Sequence, residues 1–289
     1  MIPAPFDYVQ ARSLEEAIAL LQRHGEEAKL LAGGHSLIPM MKLRLVRPSL
    51  LVDIGGLEEL RYIREEGEEV AIGALALHSD VARSPLVREK APLLAQAASV
   101  IGDVQVRNRG TIGGSLAHAD PAADYPAAVL ASEATLVAQG PGGRRAIPAR
   151  EYFLGPFTTA LEPEEVLVEV RVPALAPGTG AAYLKFPHPA SGFAVVGCAA
   201  LVTVRGGEVT GARVAFTGVA GSPFRDDGVE GAVVGRPAEA EAMAEAAALA
   251  AQAVDYPLSD VFASGRYRVH LAKVFARRAL AEAVATAAS

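Results

Sequence analysis

Two short segments limit what this chain can be. Ala32-Gly33-Gly34-His35-Ser36 and Thr111-Ile112-Gly113-Gly114-Ser115 each set a glycine pair beside small hydroxyl residues. Glycine has no Cβ, so its backbone can approach a ligand closely. Successive N–H groups then form a concave nest for an anion, and Ser or Thr hydroxyls add donors. Two such loops suit the two phosphates of a dinucleotide better than a single phosphate. Taken alone, a glycine pair is usually just a tight turn. Neither loop matches G-x-x-x-x-G-K-S/T, and no G-x-G-x-x-G occurs, so neither a nucleoside triphosphatase loop nor the Rossmann route to a dinucleotide is supported.

The patterns around the loops are mixed. Ser13-Leu14-Glu15-Glu16 is a capping box, and Leu14, Ala17, Ile18 and Leu21 share one helical face. Gly25 suits a left-handed helix end. Strands over 29–32 and 50–54 complete a small β-α-β unit, residues 1–55. A second region, 56–174, reads as a strand over 69–77, a mostly helical apolar segment over 86–101, and the second glycine loop. A helix over 126–131 and strands over 134–139, 144–148 and 166–172 complete it. After a linker with Pro177, Gly178 and Gly180 come three strands, with Gly206-Gly207 as a hairpin turn, and helices over 238–254 and 266–287. That last part, 178–289, reads as a three-stranded antiparallel sheet packed on helices, and the chain as α+β.

The single cysteine, Cys198, permits no internal disulfide. An iron–sulfur cluster takes about four cysteines, so any such centre belongs on a partner. Cys198 lies in the apolar run 195–201 and reads as a small buried residue. The formal net charge of −6 gives no footprint for nucleic acid or an anionic membrane. The start, Met1 to Phe6, is not a signal peptide, and no apolar run suits a membrane span, so a cytoplasmic setting is expected.

The stretch 32–39, followed by Lys42, resembles the first FAD loop of the medium subunits of molybdenum hydroxylases. The flavin subunits of carbon monoxide dehydrogenase and xanthine dehydrogenase belong to that group. Residues 109–124 resemble the family's second loop over a long run, and 259–280 the end of its C-terminal domain. The resemblance implies an α+β fold with two small N-terminal α/β subdomains clasping FAD and a C-terminal three-stranded antiparallel sheet packed on helices.

It also implies roles. Ala32, Gly33, Gly34, His35 and Ser36, with Thr111, Ile112, Gly113, Gly114 and Ser115, would hold the pyrophosphate. Asp124 would accept from ribose hydroxyls, although it also reads as a helix N-cap before Tyr125-Pro126. Ile101 would pack near the cofactor, and Leu167 and Lys185 would touch the flavin, where a lysine stabilises anionic reduced flavin. Lys185 also reads as a solvated strand-end residue. Phe193 would cover the ring system, and also reads as a core phenylalanine beside Val195 and Val196. A histidine such as His35 is a covalent flavin attachment point in some distant flavoproteins, but the resemblance here is to the non-covalent branch. His118, Asp120 and Asp124 have no common metal-site spacing, His188 reads as a loop residue, and no residue is assigned to catalysis on a substrate.

The expected function is electron transfer. A large partner would carry the molybdenum cofactor and a small partner the [2Fe–2S] clusters. FAD on this chain would pass electrons to NAD, a quinone or oxygen. Two other readings stay open on the residues: a free-standing flavin oxidoreductase with its own substrate, and a nucleotide-binding module without redox activity.

Overall fold

The computed structural model describes residues 1–287; Ala288 and Ser289, the end of the expected 178–289 unit, lie outside the described residues. β1 (Asp7–Gln10), β2 (Ala28–Leu31) and β3 (Leu50–Asp53) form a parallel sheet in the order β1-β3-β2. The Leu14–His24 helix connects the first two. Ser13 caps its start, its Oγ accepting from the Glu16 N–H at 3.2 Å, while the Glu16 carboxylate reaches past the cap to the Arg12 N–H at 2.7 Å instead of closing the capping box on Ser13. Leu14, Ala17, Ile18 and Leu21 are buried against this sheet, and Gly25 ends the helix with φ 52°.

The second sheet is antiparallel throughout. β4 (Ile63–Glu66) pairs with β5 (Glu69–Gly73), and β6 (Thr135–Gly140) with β7 (Gly143–Pro148). Each pair is joined by a hairpin too short for a parallel crossover, which fixes the sense. A small ribbon, β8 (Phe153–Gly155) with β9 (Thr158–Thr159), follows. β10 (Val166–Pro173) then returns to the middle, giving the order β4-β5-β10-β6-β7. The expected strand over 69–77 stops at Gly73. The apolar segment 86–101 is two helices, Pro85–Lys90 and Pro92–Ser99, because Pro92 cannot continue the first and opens the second. The helices Ile112–His118 and Tyr125–Ala131 share this core.

The third sheet runs β11 (Thr179–Pro187), β12 (Ala194–Arg205), β13 (Glu208–Thr217) and β14 (Phe224–Arg225), in that order. Gly206 and Gly207 have φ 59° and 83°, the two positive values a type I′ hairpin demands. Three strands were expected and a fourth is present. β14 is two residues long and makes only the pairs Ala215 with Arg225 and Phe216 with Phe224, too short to leave a pattern. The Gly265–Ala287 helix packs its Leu271, Phe275, Ala279 and Ala283 face into the core of this sheet, and the expected helix over 238–254 is regular only over Ala240–Ala247. Cys198 is fully buried in that core, as the apolar run suggested. Among the described residues no helix is long and apolar enough to cross a membrane.

Candidate functional site

The first glycine loop leaves the end of β2 and enters the Leu37–Lys42 helix. Gly34 turns it with φ 75°. Gly33 packs on the second loop's approach: a Cβ there would stand 2.3 Å from the Arg109 carbonyl oxygen and 2.8 Å from the Gly110 Cα. The two loops are therefore in direct backbone contact. Among the described residues, the N–H groups of Gly33, Gly34, His35 and Ser36 donate to no protein acceptor. Four successive free donors are the anion nest the glycine pair suggested.

The second loop is built differently. Thr111 caps the Ile112–His118 helix, accepting from the Gly114 N–H at 3.1 Å. Ile112 donates to the Ala76 carbonyl at 3.0 Å, Gly113 to Ala74 at 2.9 Å and Ser115 to Thr111 at 3.0 Å. These amides are already satisfied. What this loop offers a ligand is the bare, exposed face of Gly114 and the part-buried side chain of Ser115.

The loops open on a cleft of about 740 Å³, within the range of ligand pockets. Of the residues expected at the site, Ala32 to Ser36, Ile101, Thr111, Gly113, Gly114, Ser115, Asp124, Leu167 and Phe193 line it. Ile112 does not; its side chain is fully buried in the core beneath the loop. Lys185 does not line it either, but reaches Asp124, which does. β10 bulges between Leu167 and Glu169, and Leu167 lines the cleft beside Val166.

Asp124 sits at the N-cap position of the Tyr125–Ala131 helix yet accepts nothing from that helix. Instead Oδ1 takes the Tyr183 hydroxyl at 2.7 Å and Oδ2 the Lys185 ammonium at 3.0 Å. Burial pushes the carboxyl up to about 6, against the opposing pull of Lys185 and Tyr183. The alternatives of a helix cap at Asp124 and a solvated lysine at 185 are both set aside by these contacts, since the Lys185 side chain is only 6% exposed. Phe193 is 42% exposed and is not a core residue.

Three further residues that were not expected at the FAD site line the cleft. His78 is 4% exposed and its Nδ1 has no protein partner; burial holds the imidazole down to about 4, so it is neutral at pH 7. His118 packs its ring 5.1 Å from Phe157, and burial lowers its pKa. Phe157, half-exposed, adopts φ 54° in the β8–β9 turn while its N–H bonds the Ala119 carbonyl at 3.1 Å. For FAD the fit is good: two loops in contact, four free amides for phosphate oxygens, and a cleft lined from β2 of the first sheet to the loop between β11 and β12.

Residues 4–175 match the family described as the FAD binding domain in molybdopterin dehydrogenase, and 181–283 the CO dehydrogenase flavoprotein C-terminal domain. The chain belongs to the FAD-binding medium subunits of the molybdenum hydroxylases. It is 48% identical to the carbon monoxide dehydrogenase medium chain of Hydrogenophaga pseudoflava over 97% of both chains. It is 40% identical to the 6-hydroxypseudooxynicotine dehydrogenase complex subunit alpha of Paenarthrobacter nicotinovorans, over 98% of this chain and 96% of that one. A solved structure of carbon monoxide dehydrogenase from Hydrogenophaga pseudoflava, lacking the Mo-pyranopterin moiety of its cofactor, superposes with a TM-score of 0.95, 48% identity and 99% coverage of each chain.

Membership makes this medium subunit an FAD-binding oxidoreductase component. Loop 32–36 has four free N–H groups, and beside it loop 111–115 presents the bare face of Gly114 and the part-buried Ser115 side chain.

Proposed function

We propose that this chain is the electron-delivering flavin subunit of a three-chain molybdenum hydroxylase working in the cytoplasm. Its proposed division is 1–55 and 56–174 clasping FAD, with 178–289 completing the site. A large partner would hold the molybdenum cofactor and a small partner the [2Fe–2S] clusters. FAD, held here without a covalent bond, supplies the exchange between one-electron and two-electron carriers.

The observation that carries this reading is the contact between the two glycine loops above four unengaged amides, on a chain whose single cysteine is buried and inert. Gly33, Gly34, His35 and Ser36 would bind the phosphates through backbone N–H groups, with the Ser115 hydroxyl as a further donor. Leu167 and Phe193 would exclude water from the ring system, and Ile101 would pack against the cofactor. Asp124, with its oxygens taken by Tyr183 and Lys185, still has lone pairs for ribose hydroxyls. The hydroxylated substrate would be chosen by the large partner, in keeping with relatives named for carbon monoxide and for 6-hydroxypseudooxynicotine.

The test is flavin reduction in the FAD-loaded chain. The visible flavin band should bleach on mixing with the reduced iron–sulfur partner and recover on adding NAD or a quinone. Bleaching of the isolated chain by an organic substrate, with no partner present, would instead establish a free-standing oxidoreductase.

A further inference from the structure

Tyr183 and Lys185 are two residues apart on β11 and so project from the same face. Both reach the same buried carboxylate, Asp124. Room for this is made opposite: Lys185 pairs across the ladder with Gly197, where a Cβ would stand 2.5 Å from the Tyr183 hydroxyl. The Lys185 ammonium has a second partner. It donates at 2.7 Å to the carbonyl of Gly192. One ammonium thus joins Asp124, at the start of a helix in the second sheet's core, to the loop between β11 and β12.

That loop is a closed unit. His188 donates its N–H to the Phe193 carbonyl at 2.7 Å, and Gly192 returns one to the His188 carbonyl at 2.9 Å. Its tip, Ser191-Gly192-Phe193, lines the cleft. Across the cleft lies the Ile101–Gly102 turn, close enough that a Cβ on Gly192 would be 3.4 Å from the Gly102 Cα. The loop tip and this turn thus meet beside the cleft, and the loop is further held where His188 rests on the Phe262 ring at 4.6 Å and, at its end, where Ala194 donates to the Ala122 carbonyl at 3.0 Å.

We propose that Lys185 is a positioning residue: with Asp124 and Tyr183 it pins the 188–193 loop across the mouth of the cleft and so sets how fast FAD enters and leaves. The proposal rests on the cleft being the FAD site, but the pinning itself needs no flavin. A buried ammonium with two charge-assisted or carbonyl bonds is a strong tether. A direct role for its charge on the ring is a different role, and the two make different predictions.

Hydrogen exchange on the whole flavin-free chain separates them. Lys185→Met should raise exchange at the His188, Gly192 and Ala194 amides by roughly ten- to a hundred-fold, the loss expected for one charge-assisted bond. The strands β12 and β13 should stay protected. Tyr183→Phe, which leaves every charge paired, should raise it by a smaller factor, and serves if Lys185→Met weakens the whole fold. In stopped-flow mixing with FAD, both association and dissociation should accelerate in both variants. Unchanged exchange over 188–194 in both variants would overturn the proposal. So would a rise spread evenly over β11 to β13, or altered FAD affinity with an unaltered loop. A loosened loop in a chain that binds no FAD would uphold the latch and remove the cofactor assignment.

Discussion

Gly33 and Arg109 meet backbone to backbone: a Cβ on Gly33 would lie 2.3 Å from the Arg109 carbonyl oxygen. No rotamer can relieve that clash, because neither atom belongs to a flexible side chain. Gly33→Ala should destabilise the chain by about 1–3 kcal/mol, the usual cost of overpacking, and weaken FAD binding with it. Gly231→Ala is the control. It lies in the Asp227–Val233 helix with nothing within 4 Å of its Cβ, and should be neutral or stabilising by roughly 0.5–1 kcal/mol. Thermal denaturation of the two variants checks both signs.

His78 makes stability depend on acid. Its pKa falls from 6.5 to about 4 on folding because the ring is buried away from water. Between those values the unfolded chain binds the extra proton and the folded chain does not. Its contribution is therefore intact above about pH 6.5 and is lost as pH falls toward 4. The span corresponds to about 3 kcal/mol. His78→Gln should flatten the stability profile between pH 6.5 and 4 in chemical denaturation, while a slope identical to the parent would refute it.

Arg268 explains part of the C-terminal signature. Its guanidinium, 6% exposed, donates to the Val195 carbonyl at 2.6 Å and the Gly218 carbonyl at 2.7 Å, and pairs with Asp260 at 2.5 Å. It ties the long helix to the ends of β12 and β13. Arg268→Met should lower stability by about 2–4 kcal/mol, because two buried carbonyls lose a charged donor. Arg266 and Arg277, exposed on the same helix, should cost within about 0.5 kcal/mol when replaced by alanine. Urea midpoints rank the three.

Phe193 separates binding from folding. At 42% exposed it contributes little to the core, and Phe193→Ala should move the melting temperature only slightly. An aromatic contact with the ring system is worth about 0.5–1.5 kcal/mol, so FAD affinity should drop by roughly two- to tenfold. Titration calorimetry beside a melting curve reads both.

What the sequence made legible was local. Ser13, Glu16 and Gly25 bound one helix because capping is decided within a few residues, and Gly206-Gly207 forced a hairpin for the same reason. The glycine loops were visible as motifs, but not that Ala74 and Ala76 would use up the second loop's amides. Those bonds follow from how the chain folds back, not from residues 111–115. Tyr183 and Asp124 are 59 positions apart, and no periodicity joins them. Lys185 read as a flavin contact from the resemblance, and its bond to the Gly192 carbonyl leaves no trace in a sequence. The strand over 69–77 was overlong because an apolar run does not mark where a chain leaves a sheet, while the mostly helical segment 86–101 is there, split in two at Pro92.

The central claim is that the two loops form one pyrophosphate cradle, and a titration of the purified chain with FAD and with FMN tests it most directly. FMN keeps the ring but lacks the second phosphate and the adenosine. Gly114→Val is the matched variant, since a Cβ there narrows the cleft and meets the Thr111 hydroxyl, which must shift, at 2.8 Å, and Ala32 at 4.0 Å. Saturable quenching of flavin fluorescence by FAD, at least tenfold weaker binding of FMN, and loss of FAD binding in Gly114→Val are the predicted results, the factor being roughly that of one lost charge-assisted contact. Equal affinity for FMN and FAD, or full FAD affinity in a folded Gly114→Val chain, would contradict the account.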